Sequence, residues 1–209
     1  MNDQAPIVYV VDDDASMRTA LQRLLRSVGY EVEAYGSARD FLEDERADRD
    51  ACLVLDVRMP RMSGLELQKL LNEAGDQLPI VFVTGVGDVP MSVRAMKGGA
   101  VDFLQKPFND QDLIDAVHRA IERDRANRLE RAGQETIRAR YATLTPREQE
   151  VMAHVVAGGM NKQIAGALGT SEKTIKVHRA RIMRKMEAVS LAELVRLAAR
   201  IGIHGPQQP

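Results

Sequence analysis

The chain of 209 residues has a single cysteine, no tryptophan, and only four phenylalanines and four tyrosines. A lone cysteine excludes a disulfide framework or a thiolate-rich metal site within one chain. Cys52 lies inside the apolar run Ala51–Leu55 and reads as a small core residue. No run of roughly 18 or more apolar residues is present, so no helical membrane span is expected. The first residues, MNDQAPIVYVVDDD, turn from polar to briefly apolar and then to three acids, unlike a secretory leader. A cytoplasmic protein without a membrane partner is the expectation.

An excess of either charge is also missing, with 29 Lys and Arg against 30 Asp and Glu. That balance hides an asymmetry. Residues 1–122 carry 13 basic against 22 acidic side chains, residues 123–140 carry 6 against 3, and residues 141–209 carry 10 against 5. A basic back half suggests a polyanionic partner there. The length suits two small domains, each able to bury its own core.

The front half repeats one rhythm, a short β-branched apolar run followed by a helical pattern. The runs are IVYVV (7–11), EVEAY (31–35), CLVL (52–55), PIVFV (79–83) and VDFL (101–104), with helices starting near Ala15, Ser37, Gly64, Val89 and Asp110. Several are continuously apolar, as strands covered on both faces should be. Five such units predict a doubly wound parallel sheet of the flavodoxin-like kind. From Asp110 to about Arg131 the pattern stays helical and then becomes a polar, Arg-rich stretch interrupted by Gly133. A new helix opens at Thr145-Pro146-Arg147-Glu148, where an N-cap Thr, a first-turn Pro and a Glu form a capping box. It stops at Gly158-Gly159. A short helix, NKQIAGAL, follows, then a turn at Gly169. A third helix capped by Ser171 runs to about Glu187, and a last amphipathic one covers about 190–201.

In an open α/β sheet, ligands sit at the carboxyl ends of the strands. Those ends carry Asp12, Asp13, Asp56, Thr84 and Lys106. Strands one and three should be neighbours, which brings three carboxylates into one crevice and demands a cation. Hard oxygen donors with room for water and phosphate are what Mg²⁺ takes. A carboxylate can attack phosphorus to give an acyl phosphate. Lys106 can then neutralise a phosphoryl oxygen, and Thr84 can donate to another. The blander alternative makes Asp12 to Asp14 helix caps and Asp56 a turn residue. It fits Asp14 as well as the functional reading does, but leaves four matched strand ends to chance.

The order VVDDD, LDVRMPRMSG, VTG and QKPF resembles the receiver domains of response regulators over residues 5–122. The resemblance implies a CheY-like fold in which Asp56 is the phosphoacceptor, and Asp12, Asp13, Asp56 and the backbone carbonyl of Arg58 bind Mg²⁺. It makes Thr84 the switch hydroxyl, Lys106 the phosphate-binding lysine and Phe103 an aromatic switch, a role compatible with core packing. It also implies a cis bond at Lys106-Pro107. Val86 stands where the FixJ branch often has His.

LTPREQEV, NKQIAGALG and TIKVHRARIMRKM resemble the all-α LuxR-type helix-turn-helix, and with the receiver motifs they point to the NarL/FixJ family, nearer its FixJ branch. On the third helix, Ile175, His178, Ile182 and Met186 form an inward stripe. His178, without Cys or His partners, reads as a packing residue. Lys173, Thr174, Lys176, Val177, Arg181 and Arg184 are the candidate DNA-facing residues, the alternative for the basic ones being a solvated face. Ala180 stands where some relatives carry a basic residue.

The resemblance divides the chain into a receiver (1–122), a helical linker (123–143) and a DNA-binding domain (144–209). It implies a transcription factor rather than an enzyme, phosphorylated by a sensor histidine kinase and losing the group slowly by itself. It would dimerise when phosphorylated and bind double-stranded promoter half-sites, with RNA polymerase as a further partner. A competing reading is a Mg²⁺-dependent phosphatase of the haloacid-dehalogenase kind, which needs a D-x-D nucleophile on strand one. Asp12-Asp13-Asp14 contains that pattern, but Asp56 lies on strand three and no cap domain is present. A phosphorylation-independent regulator would not need so complete an acidic site.

Overall fold

The computed structural model describes residues 5–85 and 89–205, and the chain divides into two compact units between Arg128 and Leu129. Val86 lies outside the described residues.

In the first unit five strands alternate with helices: β1 (Ile7–Val11), α1 (Ala15–Ser27), β2 (Glu31–Tyr35), α2 (Ala38–Glu43), β3 (Ala51–Asp56), α3 (Gly64–Glu73), β4 (Ile80–Thr84), α4 (Val89–Lys97) and β5 (Asp102–Gln105). The sheet is wholly parallel in the order β2-β1-β3-β4-β5, so β1 and β3 are neighbours at its centre. Every residue of β1, β3 and β4 is buried, which explains their lack of alternation. One face packs Ile7, Tyr9, Leu53, Leu55 and Phe82 under α2, α3 and α4. The other packs Val8, Val10, Val54, Val81 and Val83 under α1 and the next helix, α5 (Asp110–Ala142).

Helix α5 contributes its residues up to Arg128 to the first unit and the rest to the second. The sequence reads 123–143 as a helical linker with Gly133 inside it, and the helix runs through that glycine. A Cβ at Gly133 would stand 2.7 Å from Arg200 Nη2. The glycine therefore makes room for a distant side chain, at a helix cost of roughly 1 kcal/mol. Buried Ile137 one turn later holds the helix to the second unit's core.

The second unit continues with α6 (Pro146–Val156), α7 (Asn161–Ala167), α8 (Glu172–Lys185) and α9 (Leu191–Arg200). The capping box is formed: Glu148 N–H donates to Thr145 Oγ1, and Thr145 N–H donates to the Glu148 carboxylate. Gly169 takes a positive φ of 61° in the turn between α7 and α8, and Ser171 Oγ accepts from Thr174 N–H to start α8. Val151, Met152, Val155, Ile164, Ile175, Ile182, Met186 and Leu194 are buried together as the core.

Candidate functional site

Asp12, Asp56, Thr84 and Lys106 are gathered at the carboxyl edge of the sheet because β1, β3, β4 and β5 all end there. Asp12 and Asp56 are buried, and Thr84 is fully so. Lys106 Nζ stands between the two acids, 2.7 Å from Asp12 Oδ2 and 3.0 Å from Asp56 Oδ1. Burial alone would lower the lysine's proton affinity, but its bonds to both carboxylates outweigh that and hold it above the ordinary value. Asp56 is displaced upward chiefly by burial, against the opposing pull of Lys106. Its second oxygen, Oδ2, accepts from Arg58 N–H at 2.6 Å. Lys106 N–H donates to the Thr84 carbonyl at 2.8 Å, and the Lys106–Pro107 peptide is cis.

The remaining acids divide by role. Asp14 is the N-cap of α1, accepting from Ser16 N–H and Met17 N–H. Asp13 is exposed and makes no hydrogen bond or ion pair among the described residues. Arg58 is exposed beside Asp56. Phe103 is partly buried, with its ring centroid 6.3 Å from that of Phe82.

Two residues here had no assigned part in the sequence. Gly64 opens α3 against the back of the site: a Cβ there would lie 2.3 Å from the Asp56 carbonyl oxygen. Arg18 Nη1 donates to the Asp12 carbonyl at 2.7 Å. Close backbone approach and a single side-chain bond to a carbonyl leave no periodic trace in a sequence. The Ser63-Gly64 pair at a helix start was the one local sign.

The hard-oxygen donor set fits a divalent cation. Asp12 and Asp56 together carry more negative charge than Lys106 neutralises, and Asp13 is uncommitted. Among the described residues no three histidine, cysteine or acidic side chains form a ready-made metal cage. An ion that keeps several waters, as Mg²⁺ does, needs no such cage.

In the second unit, α8 presents Lys173, Lys176, Val177, Arg181 and Arg184 as exposed residues along one side, while Ile175, Ile182 and Met186 face the core. Thr174 is half-buried, and its hydroxyl lies 2.9 Å from Ser171 Oγ. His178 is partly buried, and its Nδ1 is buried without a hydrogen-bond partner. Helix α8 is locked to α6 by Lys185 Nζ, 2.6 Å from Glu148 Oε2 and 2.9 Å from the Thr143 carbonyl. Lys185 is the main cause holding the Glu148 carboxyl below its usual range, against burial.

A doubly wound sheet with an acidic crevice, followed by a helix-turn-helix with a basic outer helix, defines a two-part regulator. Comparison with known proteins agrees: residues 8–118 match the response regulator receiver domain, and residues 142–198 match the bacterial regulatory proteins of the luxR family. The chain belongs to the NarL/FixJ family of two-component response regulators with a LuxR-type DNA-binding domain, which are transcriptional regulators. It is 53% identical to nodulation protein W of Bradyrhizobium diazoefficiens, over 94% of this chain and 87% of that protein. It is 46% identical to the transcriptional regulatory protein FixJ of the same organism, over 94% and 96%. Among solved structures, the response regulator StyR matches with a TM-score of 0.80 at 50% identity, covering 94% of this chain and all of that one. Full-length FixJ from B. japonicum matches with a TM-score of 0.57 at 46% identity, covering 94% and 97%. Among the described residues no helix is long and apolar enough to cross a membrane.

Proposed function

We propose that Asp56 accepts a phosphoryl group from a partner sensor histidine kinase in a Mg²⁺-dependent reaction, and that this controls dimerisation and the binding of double-stranded promoter DNA. The observation that carries this reading is the placement of two buried carboxylates, Asp12 and Asp56, on one ammonium, Lys106. A bond forms from an Asp56 carboxylate oxygen to phosphorus as the bond from phosphorus to the donor's imidazole nitrogen breaks. Asp12, Asp13, Asp56 and the Arg58 carbonyl would hold Mg²⁺, which supplies positive charge at the transferring oxygens. Lys106, already at the crevice, turns its charge to a phosphoryl oxygen, and Thr84 offers a hydroxyl to another. Phe103 packs with Phe82 against the core that also holds Ala95 of α4, and a shift of Thr84 would alter its fit. The same group makes the protein an acceptor rather than a turnover enzyme, with slow loss of the phosphoryl group.

In this reading residues 1–122 are the receiver, 123–143 the helical linker and 144–209 the DNA-binding domain. The start of the linker is fastened to the receiver: Asp124 accepts from Ala51 N–H at 3.0 Å, and Arg128 pairs with Asp48 at 2.6 Å. Helix α4 offers the pairing face, since Val89, Val93 and Met96 are exposed along it. The family's pairing surface would run over residues 90–122, but Met91 of α4 and Val117 of α5 pack into the cores, and Ile114 of α5 is half-buried. In the dimer Arg94 or Lys97 of one copy would meet acids such as Asp112 or Asp115 of the other. Two copies put two α8 helices on related half-sites, with Lys173, Thr174, Lys176, Val177, Arg181 and Arg184 toward DNA. RNA polymerase is the further partner such a bound dimer would meet.

The test is to incubate the full chain with Mg²⁺ and acetyl phosphate and follow mass and molar mass together. The parent gains a phosphoryl group and dimerises, and Asp56→Asn does neither. Labelling of that variant would overturn the site, and identical molar masses before and after labelling would overturn the coupling.

A further inference from the structure

The loop after β1 uses its three carboxylates unequally. Asp12 divides its oxygens between Lys106 Nζ and Asp14 N–H, and Asp14 is committed to the N-terminus of α1. Asp13 alone has no partner among the described residues. A side chain without an anchor is aimed by its backbone, so the peptides on either side of Asp13 decide where its carboxylate sits. The following one is held by Asp14 N–H, which donates to Asp12 Oδ1 at 2.8 Å. The preceding one presents the Asp12 carbonyl, which accepts from Arg18 Nη1 at 2.7 Å. Arg18 lies one turn into α1 and is half-buried, with Gly36 beside its guanidinium.

We infer that Arg18 is a positioning residue for the divalent cation of this site: by holding the Asp12 carbonyl, it aims the Asp13 carboxylate at the ion. The inference rests on the proposed use of Asp12, Asp13 and Asp56 for Mg²⁺. Arg18 has two effects on a cation, and they oppose each other. Its charge repels the ion, so charge alone requires that removing it tighten binding. Its hydrogen bond preorganises a ligand, so positioning requires that removing it weaken binding. Outer-shell partners of metal ligands are typically worth about ten- to a hundredfold in affinity.

Mg²⁺ is titrated calorimetrically into the full-length parent, Arg18→Ala and Asp13→Asn, with melting temperatures as the check on folding. Phosphoryl uptake from acetyl phosphate is measured over a range of Mg²⁺ concentrations. Arg18→Ala is expected to raise the Kd for Mg²⁺ about tenfold, while its uptake rate returns to the parent's at saturating Mg²⁺. A general loosening of the fold would instead depress the rate at every concentration, and that result overturns the inference. An Arg18→Ala Kd equal to or below the parent's, with Asp13→Asn weakened, also overturns it and leaves the metal site standing. Parent-like affinity in Asp13→Asn overturns the site reading itself, and the inference with it.

Discussion

Lys106 Nζ lies 3.0 Å from Asp56 Oδ1, so the acceptor carboxylate is already paired with an internal cation before any phosphoryl group arrives. The same ammonium holds Asp12, which makes it a competitor for the oxygens a metal would use. Lys106→Met should therefore bind Mg²⁺ several-fold more tightly than the parent, because two buried carboxylates lose their counter-charge. The phosphorylated form should at the same time lose its dimerisation and DNA response, since the contact with the phosphoryl oxygen is gone. Calorimetric titration and light scattering check the two halves separately. Weaker Mg²⁺ binding in the variant would contradict the competition.

Gly64 sets a steric limit on the same site. A Cβ placed there would be 2.3 Å from the Asp56 carbonyl oxygen and 3.1 Å from Phe82, both fixed by the sheet. Gly64→Ala should cost about 1–3 kcal/mol in denaturant unfolding, the usual penalty for overpacking a tight interior. Phosphoryl uptake should slow as well, because the displaced backbone is that of the acceptor. Unchanged stability would show that α3 can move away freely.

These two residues mark where the sequence stops being legible. Asp12, Asp56, Thr84 and Lys106 could be found by position, since chemistry at a parallel sheet's strand ends follows from topology once the apolar runs are counted. The five strands, the Thr145–Glu148 capping box and the start of α8 were legible for the same local reasons. Gly64 and Gly133 were not. Each leaves room for another part of the chain: the Asp56 carbonyl at Gly64 and the Arg200 guanidinium at Gly133. A glycine that admits a distant neighbour looks, in one dimension, like a glycine that breaks a helix. Gly133 interrupts a polar, Arg-rich stretch of the sequence in just that way, and α5 passes through it. Helix α4 shows a related limit, because Met91 and Val93 are alike in composition and only the packing separates the core residue from the exposed one.

The pair Glu148–Lys185 predicts how the second unit responds to acid. Glu148 is buried, and its carboxyl is held below the ordinary range chiefly by Lys185. A lowered folded-state value means the pair stabilises fully above the unfolded carboxyl's value, roughly 4.3, and progressively less as pH falls through the folded one. Lys185→Met should remove this acid-side slope from the second unit's calorimetric transition. At neutral pH it should destabilise by about 2 kcal/mol, between the worth of an exposed pair and that of a fully buried one. A variant with the parent's slope between pH 3 and 5, an interval set by the ordinary carboxyl range, would place the acid sensitivity elsewhere.

The outer face of α8 makes a prediction of a different kind, because its residues are exposed and contribute little to folding. Lys176 and Arg181 carry no side-chain hydrogen bond or ion pair among the described residues, so Lys176→Ala and Arg181→Ala should leave the melting temperature within a degree or so of the parent's. DNA binding should fall, and its salt dependence separates two causes. A side chain that neutralises one phosphate releases about one counterion, so losing it flattens the slope of log K against log salt by about 0.9. A side chain that reads a base leaves that slope nearly intact and costs ~1–3 kcal/mol at particular base pairs only. Val177, 45% exposed between these cations, has no charge to lose. Val177→Ala should therefore change sequence preference, through lost apolar contact with a base, without moving the slope. Parent-like affinity in all three variants at every salt concentration would remove α8 from the DNA interface. Flattened slopes in both cation variants with sequence preference unchanged would make α8 a backbone clamp and leave base reading to other residues.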